Sequence, residues 1–254
     1  DEEIEGVGIC GGGGISALPG NDIVVTVVND MAQALIGEDP FNVERIWESL
    51  YQPKIFGRKG LTTRAISAID IALWDIVAKA VERPLYQVLG GYTDEVRAYI
   101  AGGYYEEGKG LAELQDEMVG YVSQGANAVK MKVGAVPLRE DEARVCAVRE
   151  AIGPDVDLLV DANNAYVHAD AVRMGRILED YAAFWFEEPV SPDNMRGSAL
   201  TARLSTVPVA AGENEYTRWG FRELFESGAV DIVNPDAMVL GGITEYRRVA
   251  ALAS

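Results

Sequence analysis

From Val96 onward the chain alternates short apolar runs with amphipathic stretches. The runs Val96–Ala101, Ala128–Val133, Leu158–Asp161, Phe184–Glu187, Pro208–Gly212 and Asp231–Asn234 read as strands. Between them Leu111–Ser123, Glu140–Ile152, Ala169–Tyr181 and Arg218–Ser227 carry apolar residues at helical spacing. The repeat of about 25–30 residues is the size of a βα unit. Regular alternation implies right-handed crossovers and a parallel sheet with helices outside it. Six units make either an open doubly wound sheet or most of a (β/α)8 barrel. No glycine-rich fingerprint follows the first strand, which weakens the dinucleotide-binding version, and charged strand ends favour the barrel.

The preceding ninety or so residues have another rhythm. Ile4–Ile9 reads as a strand, and the glycine run Gly11–Gly14 with Ile15–Gly20 reads as a mobile loop. Phosphate binding there is disfavoured, because no Lys-Ser/Thr follows the run. Helices are expected at Asn21–Ile36, Asn42–Tyr51 and Leu61–Val81, the last long and strongly apolar. Pro84 and Gly90-Gly91 close this region. The chain opens at Asp1 without Met and stops at Ser254 inside a helical pattern, so a piece of something longer is expected.

Composition narrows the function classes. In 254 residues, 22 Lys+Arg stand against 40 Asp+Glu, a net charge of −18, which argues against nucleic acid and anionic membrane as partners. Two cysteines, Cys10 and Cys146, suit a reducing compartment, and no apolar run is long enough to span a membrane, so a cytoplasmic globular protein is expected.

The chemistry gathers at the strand ends. In Ala128-Val129-Lys130-Met131-Lys132-Val133 the two lysines share one face and the apolar residues the other. Two ammonium groups held close lower each other's pKa, which makes one a usable base. The next three units end in Asp161-Ala162-Asn163, Glu187-Glu188-Pro189 and Glu213-Asn214, with acids 26 and 26 residues apart. Three carboxylates converging at consecutive strand ends need a cation, and a hard divalent ion such as Mg2+ fits them. Asp236 ends the sixth unit. It either orients a histidine or caps the helix that starts after Gly241-Gly242. His168 reads as a solvated helix-start residue and Trp185 as barrel core. Arg58, Lys59, Tyr104 and Tyr105 are open between substrate contact and surface or packing roles.

Together, Lys130-Met131-Lys132, Asp161-Ala162-Asn163, Glu187-Glu188-Pro189, Gly212-Glu213-Asn214 and Pro235-Asp236-Ala237-Met238 with Gly241-Gly242 resemble the enolase superfamily, mandelate racemase subgroup. Ala65–Gly91 resembles the end of that family's α+β capping domain. The resemblance implies an α/β fold: a capping domain over residues 1–94 and a modified (β/α)7β barrel over 95–254, with strands 1–6 present and both domains incomplete. It implies that Asp161, Glu187 and Glu213 bind Mg2+, and that Lys132 removes the proton α to the carboxylate of a small-molecule substrate through an enediolate. Lys130 would lower the Lys132 pKa and contact that carboxylate, with Asn163 and Asn214 as weaker metal-side or substrate contacts. In the subgroup, the partner of Asp236 is a histidine on the following strand, beyond Ser254; muconate-lactonizing relatives carry a lysine where this chain has Asp236. Some sugar-acid dehydratases carry a histidine where Asn163 stands. The implied activity is dehydration of an aldonate or aldarate to a 2-keto-3-deoxy acid. Racemisation or epimerisation of a 2-hydroxy acid, or a silent metal-binding relative, are the alternatives. Relatives are commonly homo-oligomers, so one is expected here.

Overall fold

A computed structural model describes residues 4–10 and 21–254. Five helices come first: α1 (Asn21–Ala32), α2 (Val43–Leu50), α3 (Pro53–Phe56), α4 (Leu61–Ala80) and α5 (Leu85–Val88). Strands and helices then alternate as β1 (Ile100–Ala101), α6 (Leu111–Ser123), β2 (Ala128–Lys132), α7 (Leu138–Ile152), β3 (Asp157–Asp161) and α8 (His168–Asp180). They continue as β4 (Trp185–Glu187), α9 (Met195–Leu204), β5 (Val209–Ala211), α10 (Thr217–Glu226), β6 (Ile232–Val233), α11 (Ala237–Leu240) and α12 (Gly242–Ala253). The chain packs as two units. One comprises Asp1–Val96, Gly212–Glu223 and Pro235–Ser254, the other Arg97–Ala211 and Leu224–Asn234.

All six strands lie in the second unit and pair in parallel in the order β1-β2-β3-β4-β5-β6. Each strand lies beside its sequence neighbour. The order never reverses as it does in a doubly wound sheet, so the barrel-type winding is the one observed. Period-two alternation sorts the side chains. Val129, Met131, Leu158, Val160 and Phe186 pack with Leu114, Met118, Val145, Met174 and Leu178 of the surrounding helices. The opposite parity (Lys130, Lys132, Leu159, Asp161, Trp185, Glu187) is left for the inner face. Sequence and structure agree on the strand centres and differ at the ends: Ile100–Ala101 alone of Val96–Ala101 is strand, and Val96 is exposed. Only those two residues find partners on β2, and a strand ends where its ladder does.

In the first unit α4 is the central helix. Its Ala65, Ile66, Ile69, Leu73 and Val77 bury against Ile46, Trp47 and Leu50 of α2 and Met31 of α1. The helix expected over Asn21–Ile36 tightens after Ala32 into a 3-10 turn, Gln33–Leu35. Ile4–Ile9 is not a strand in the structure. Its polar groups bond to α4 side chains instead, with Val7 N–H donating to Asp75 at 2.8 Å and Lys79 donating to the Glu5 carbonyl at 2.8 Å. Glycine permits this path, because a Cβ on Gly6 or Gly8 would meet the Ala72 or Ala68 carbonyl oxygen at 2.2 or 1.8 Å. The glycine run and its loop, residues 11–20, lie outside the described residues. Among the described residues no helix is long and apolar enough to cross a membrane.

Candidate active site

The register of the sheet builds the site. Lys132 pairs with Asp161 across β2 and β3, and Asp161 with Glu187 across β3 and β4. These three therefore lie in one row at the C-terminal ends of their strands, with Lys130 two residues behind. Lys132 Nζ is 2.5 Å from Asp161 Oδ2. Lys130 Nζ donates to both Glu187 oxygens, at 2.9 and 3.0 Å, and sits 3.3 Å from Asp161 Oδ2. Asp161 and Glu187 are 0% and 1% exposed, so neither is a solvated loop acid. Trp185 Nε1 gives Glu187 Oε2 a further bond at 3.0 Å. Trp185 thus serves the site as well as packing within the sheet.

The surroundings of the lysines differ. Lys130 lies 5.1 Å from the Tyr99 ring centroid, and Tyr99 meets Trp185 edge-on at 5.6 Å. Lys132 lies 5.4 Å from the ring of Tyr104, which is half exposed. Burial by itself would push the Lys130 ammonium down. The carboxylates of Glu187 and then Asp161 outweigh burial and hold it well above the ordinary lysine range.

The backbone bends sharply where these strands stop. Asn163, Asn164 and Glu188 hold φ values of 39°, 66° and 43°, a region that non-glycine residues seldom occupy. The bends are tied by hydrogen bonds. Asn163 N–H donates to Asp161 Oδ1 at 2.8 Å, Asn164 N–H to the Glu188 carbonyl at 2.8 Å, and Asn164 Nδ2 to Glu188 Oε2 at 2.9 Å. Asn163 therefore acts through its backbone on the Asp161 carboxylate. The Asn164–Glu188 link has no sequence signal beyond residue type.

Around the rim, Asp141 of α7 accepts hydrogen bonds from Tyr105, Tyr166 and Gly134. Burial first, and then these bonds to Asp141, push both tyrosine hydroxyls far up. Tyr105 is accordingly a structural tie. Sequence reasoning missed Asp141, which sits among Glu140 and Glu142 like any solvated acid.

The other expected site residues fall in the first unit. Glu213 and Asn214 follow β5 and are half-buried. Asp236 is the N-cap of α11, its Oδ1 accepting from Met238 N–H at 2.7 Å; the helix expected to be capped, after Gly241-Gly242, is α12, and its N-cap is Gly241. Lys59 pairs with the buried Glu215 at 2.6 Å, while Arg58 is exposed. His168 is exposed at the start of α8. Among the described residues no group of three or more His, Cys, Asp or Glu side chains gathers as a metal site. The pair Asp161 and Glu187 nonetheless has the right chemistry for a hard divalent cation: two dehydrated carboxylates, adjacent across one strand pair and already bearing the charge of two ammonium groups.

The chain is 43% identical to arabinonate dehydratase of Saccharolobus solfataricus, over 91% of this chain and 62% of that protein. It is 38% identical to D-galactarolactone cycloisomerase of Agrobacterium fabrum, over 90% and 61%. A crystal structure of a racemase from Streptomyces coelicolor with bound magnesium superposes with a TM-score of 0.88 at 37% identity, covering 93% of this chain and 66% of that one. The chain thus spans about three-fifths of the length of these curated relatives. Residues 2–90 match the profile of the mandelate racemase / muconate lactonizing enzyme N-terminal domain, and residues 113–254 the enolase C-terminal domain-like profile. The chain belongs to the mandelate racemase / muconate lactonizing enzyme family of the enolase superfamily.

Proposed function

We propose that this chain is part of a Mg2+-dependent enzyme that removes the proton α to the carboxylate of a small acid, and that the reaction is dehydration of an aldonate or aldarate to a 2-keto-3-deoxy acid. The observation that carries it is the row Lys132–Asp161–Glu187, an amine and two buried carboxylates placed side by side by strand register. Asp161 and Glu187 would hold the metal, with Glu213 as the third ligand implied by the resemblance. When bound, a divalent ion supplies positive charge to a substrate carboxylate as proton loss loads it with negative charge.

A metal held by Asp161 and Glu187 would compete for the oxygens that now face the two ammonium groups. Lys132 Nζ, the more accessible of the two lysines, is then placed to take the proton. General-base transfer of this kind is worth roughly 10²–10⁴-fold. Lys130, its ammonium facing the Tyr99 ring, is suited to hold the substrate carboxylate. The similarity to sugar-acid dehydratases supports dehydration over racemisation, and the similarity to cycloisomerases supports the shared first step. A homo-oligomer in the cytoplasm completes the reading, consistent with free Cys10 and Cys146.

The test is deuterium uptake from solvent at the α-carbon of a panel of acid sugars with Mg2+, followed by assay for 2-keto acid. Exchange and 2-keto acid are expected from the parent, and neither from Lys132→Ala. Exchange that survives in Lys132→Ala refutes the base assignment. Exchange without 2-keto acid replaces dehydration by epimerisation.

A further inference from the structure

Asp141 stands in the first turn of α7 and is 0% exposed. Its Oδ1 accepts from the Tyr105 hydroxyl, and its Oδ2 from the Tyr166 hydroxyl and Gly134 N–H, both at 2.8 Å. These donors belong to the three segments that follow β1, β2 and β3, so one carboxylate ties three site-forming loops together. One turn along α7, the Arg144 guanidinium lies 4.0 Å from the Tyr105 ring centroid and donates to the Gly103 carbonyl at 2.7 Å. Gly103 itself, at φ 64°, is pressed against β2, where a Cβ would come within 2.8 Å of Met131 Cβ. Tyr104 is thus held on both sides along the chain. Its ring nevertheless makes no part of the tie: it is half exposed and lies 5.4 Å from Lys132 Nζ.

We propose that Asp141 is a positioning residue for the proton-transfer site: acting through Tyr105, it seats the Tyr104 ring against Lys132, and Tyr104 forms the fixed wall beside the atom that takes the proton. The proposal rests on Lys132 as the base. A lysine amine on a four-carbon stem has many rotamers, and a ring face attracts it in one direction. A wall set by a buried three-donor carboxylate does not drift as a solvated loop would, and the substrate meets Tyr104 and Lys132 in constant relation. Tyr99 does the same for Lys130 from the other side of β1 and is not tied to Asp141, which makes Lys130 an internal control.

The test uses protein labelled with 13C at the lysine ε-carbon. In the parent, the Lys132 signal, assigned with Lys132→Arg, is expected upfield from the ring current of Tyr104. Tyr104→Leu removes that shift. Asp141→Asn and Tyr105→Phe move it toward the value of a solvated lysine, while the Lys130 signal stays in place. Tyr166→Phe, which frees a different loop, leaves the Lys132 signal where it was. In the exchange assay Asp141→Asn and Tyr105→Phe lower kcat by about 10- to 10²-fold and change KM less. An unmoved Lys132 signal in Tyr105→Phe overturns the proposal, as does equal movement of the Lys130 and Lys132 signals. The spectra are read without substrate, so a parent that shows the shifts but no exchange refutes the base assignment and leaves the seating of Tyr104 standing.

Discussion

Two buried aspartates, one from each unit, are held in opposite ways. In the second, Asp161 meets two ammonium groups, at 2.5 and 3.3 Å. In the first, Asp70 of α4 is equally buried but meets a helix start. Its Oδ2 accepts from Thr244 N–H of α12 at 2.9 Å, and its Oδ1 has no hydrogen-bond partner among the described residues. Gly242, at φ 86°, leaves room for it, since a Cβ there would lie 2.4 Å from Asp70 Oδ2. Burial pushes the Asp70 carboxyl up to about 6, against the pull of its bonds to Thr244 and Ile243. One acid is held by charges, which on the proposed reading a metal would replace. The other is held by backbone dipoles and anchors a helix. Burial alone therefore does not mark a functional acid; its partners do.

The largest effect should come from removing a cation from the strand-end cluster. Lys130→Met leaves Glu187 buried without its ammonium group and is expected to cost about 3–5 kcal/mol in denaturant unfolding. Lys130→Met with Glu187→Leu should recover most of that loss, because a buried pair replaced by apolar groups is nearly neutral. A single variant as stable as the parent breaks the comparison.

Asp70 sharpens it from the other side. Its folded pKa is raised, from 3.8 to about 6, so the native state holds a proton that the unfolded chain has released between those values. Stability accordingly falls as pH rises from about 4 to about 6 and is level above, by about 3 kcal/mol for a shift of about two units. Asp70→Asn should abolish that slope, and unfolding at pH 4.5 and pH 7 measures it. A slope of the same size in the variant would assign the dependence elsewhere.

Next in size is the metal itself. Mg2+ at about a hundredfold its Kd should raise the stability of the parent by about 2.7 kcal/mol. Asp161→Asn should erase that rise, and chelation should reverse it in the parent. Asp70→Asn should keep it. Calorimetric melting with and without Mg2+ reads all three.

Legibility in the sequence follows the same division. Strands β2 to β5 and their acids could be read because alternation places Lys130, Lys132, Asp161 and Glu187 on one parity and the apolar residues on the other, a purely local pattern. Sheet order could not be read locally, and the β1-to-β6 succession decided between two windings that share one pattern. Asp141 and Asp70 were invisible for one reason. Each sits on a helix among ordinary neighbours, and its burial is imposed by Tyr105 and Tyr166, or by α12, from far along the chain. Ile4–Ile9 misled because its composition suits a strand, while its bonds go to α4 side chains.

Asp236 gives the smallest effect and the finest distinction. As the N-cap of α11 it needs only a side-chain oxygen facing Met238 N–H, which asparagine also supplies. As a partner for an imidazole, the role implied by the resemblance, it needs a negative charge. Asp236→Ala is therefore expected to cost about 1 kcal/mol, and Asp236→Asn a few tenths at most. Denaturant unfolding checks both, and turnover of the asparagine variant then separates the roles. Unchanged turnover places Asp236 with Asp70 among acids that only anchor helices. A large fall in turnover at unchanged stability moves it to the side of Asp161, as an acid whose charge the chemistry requires.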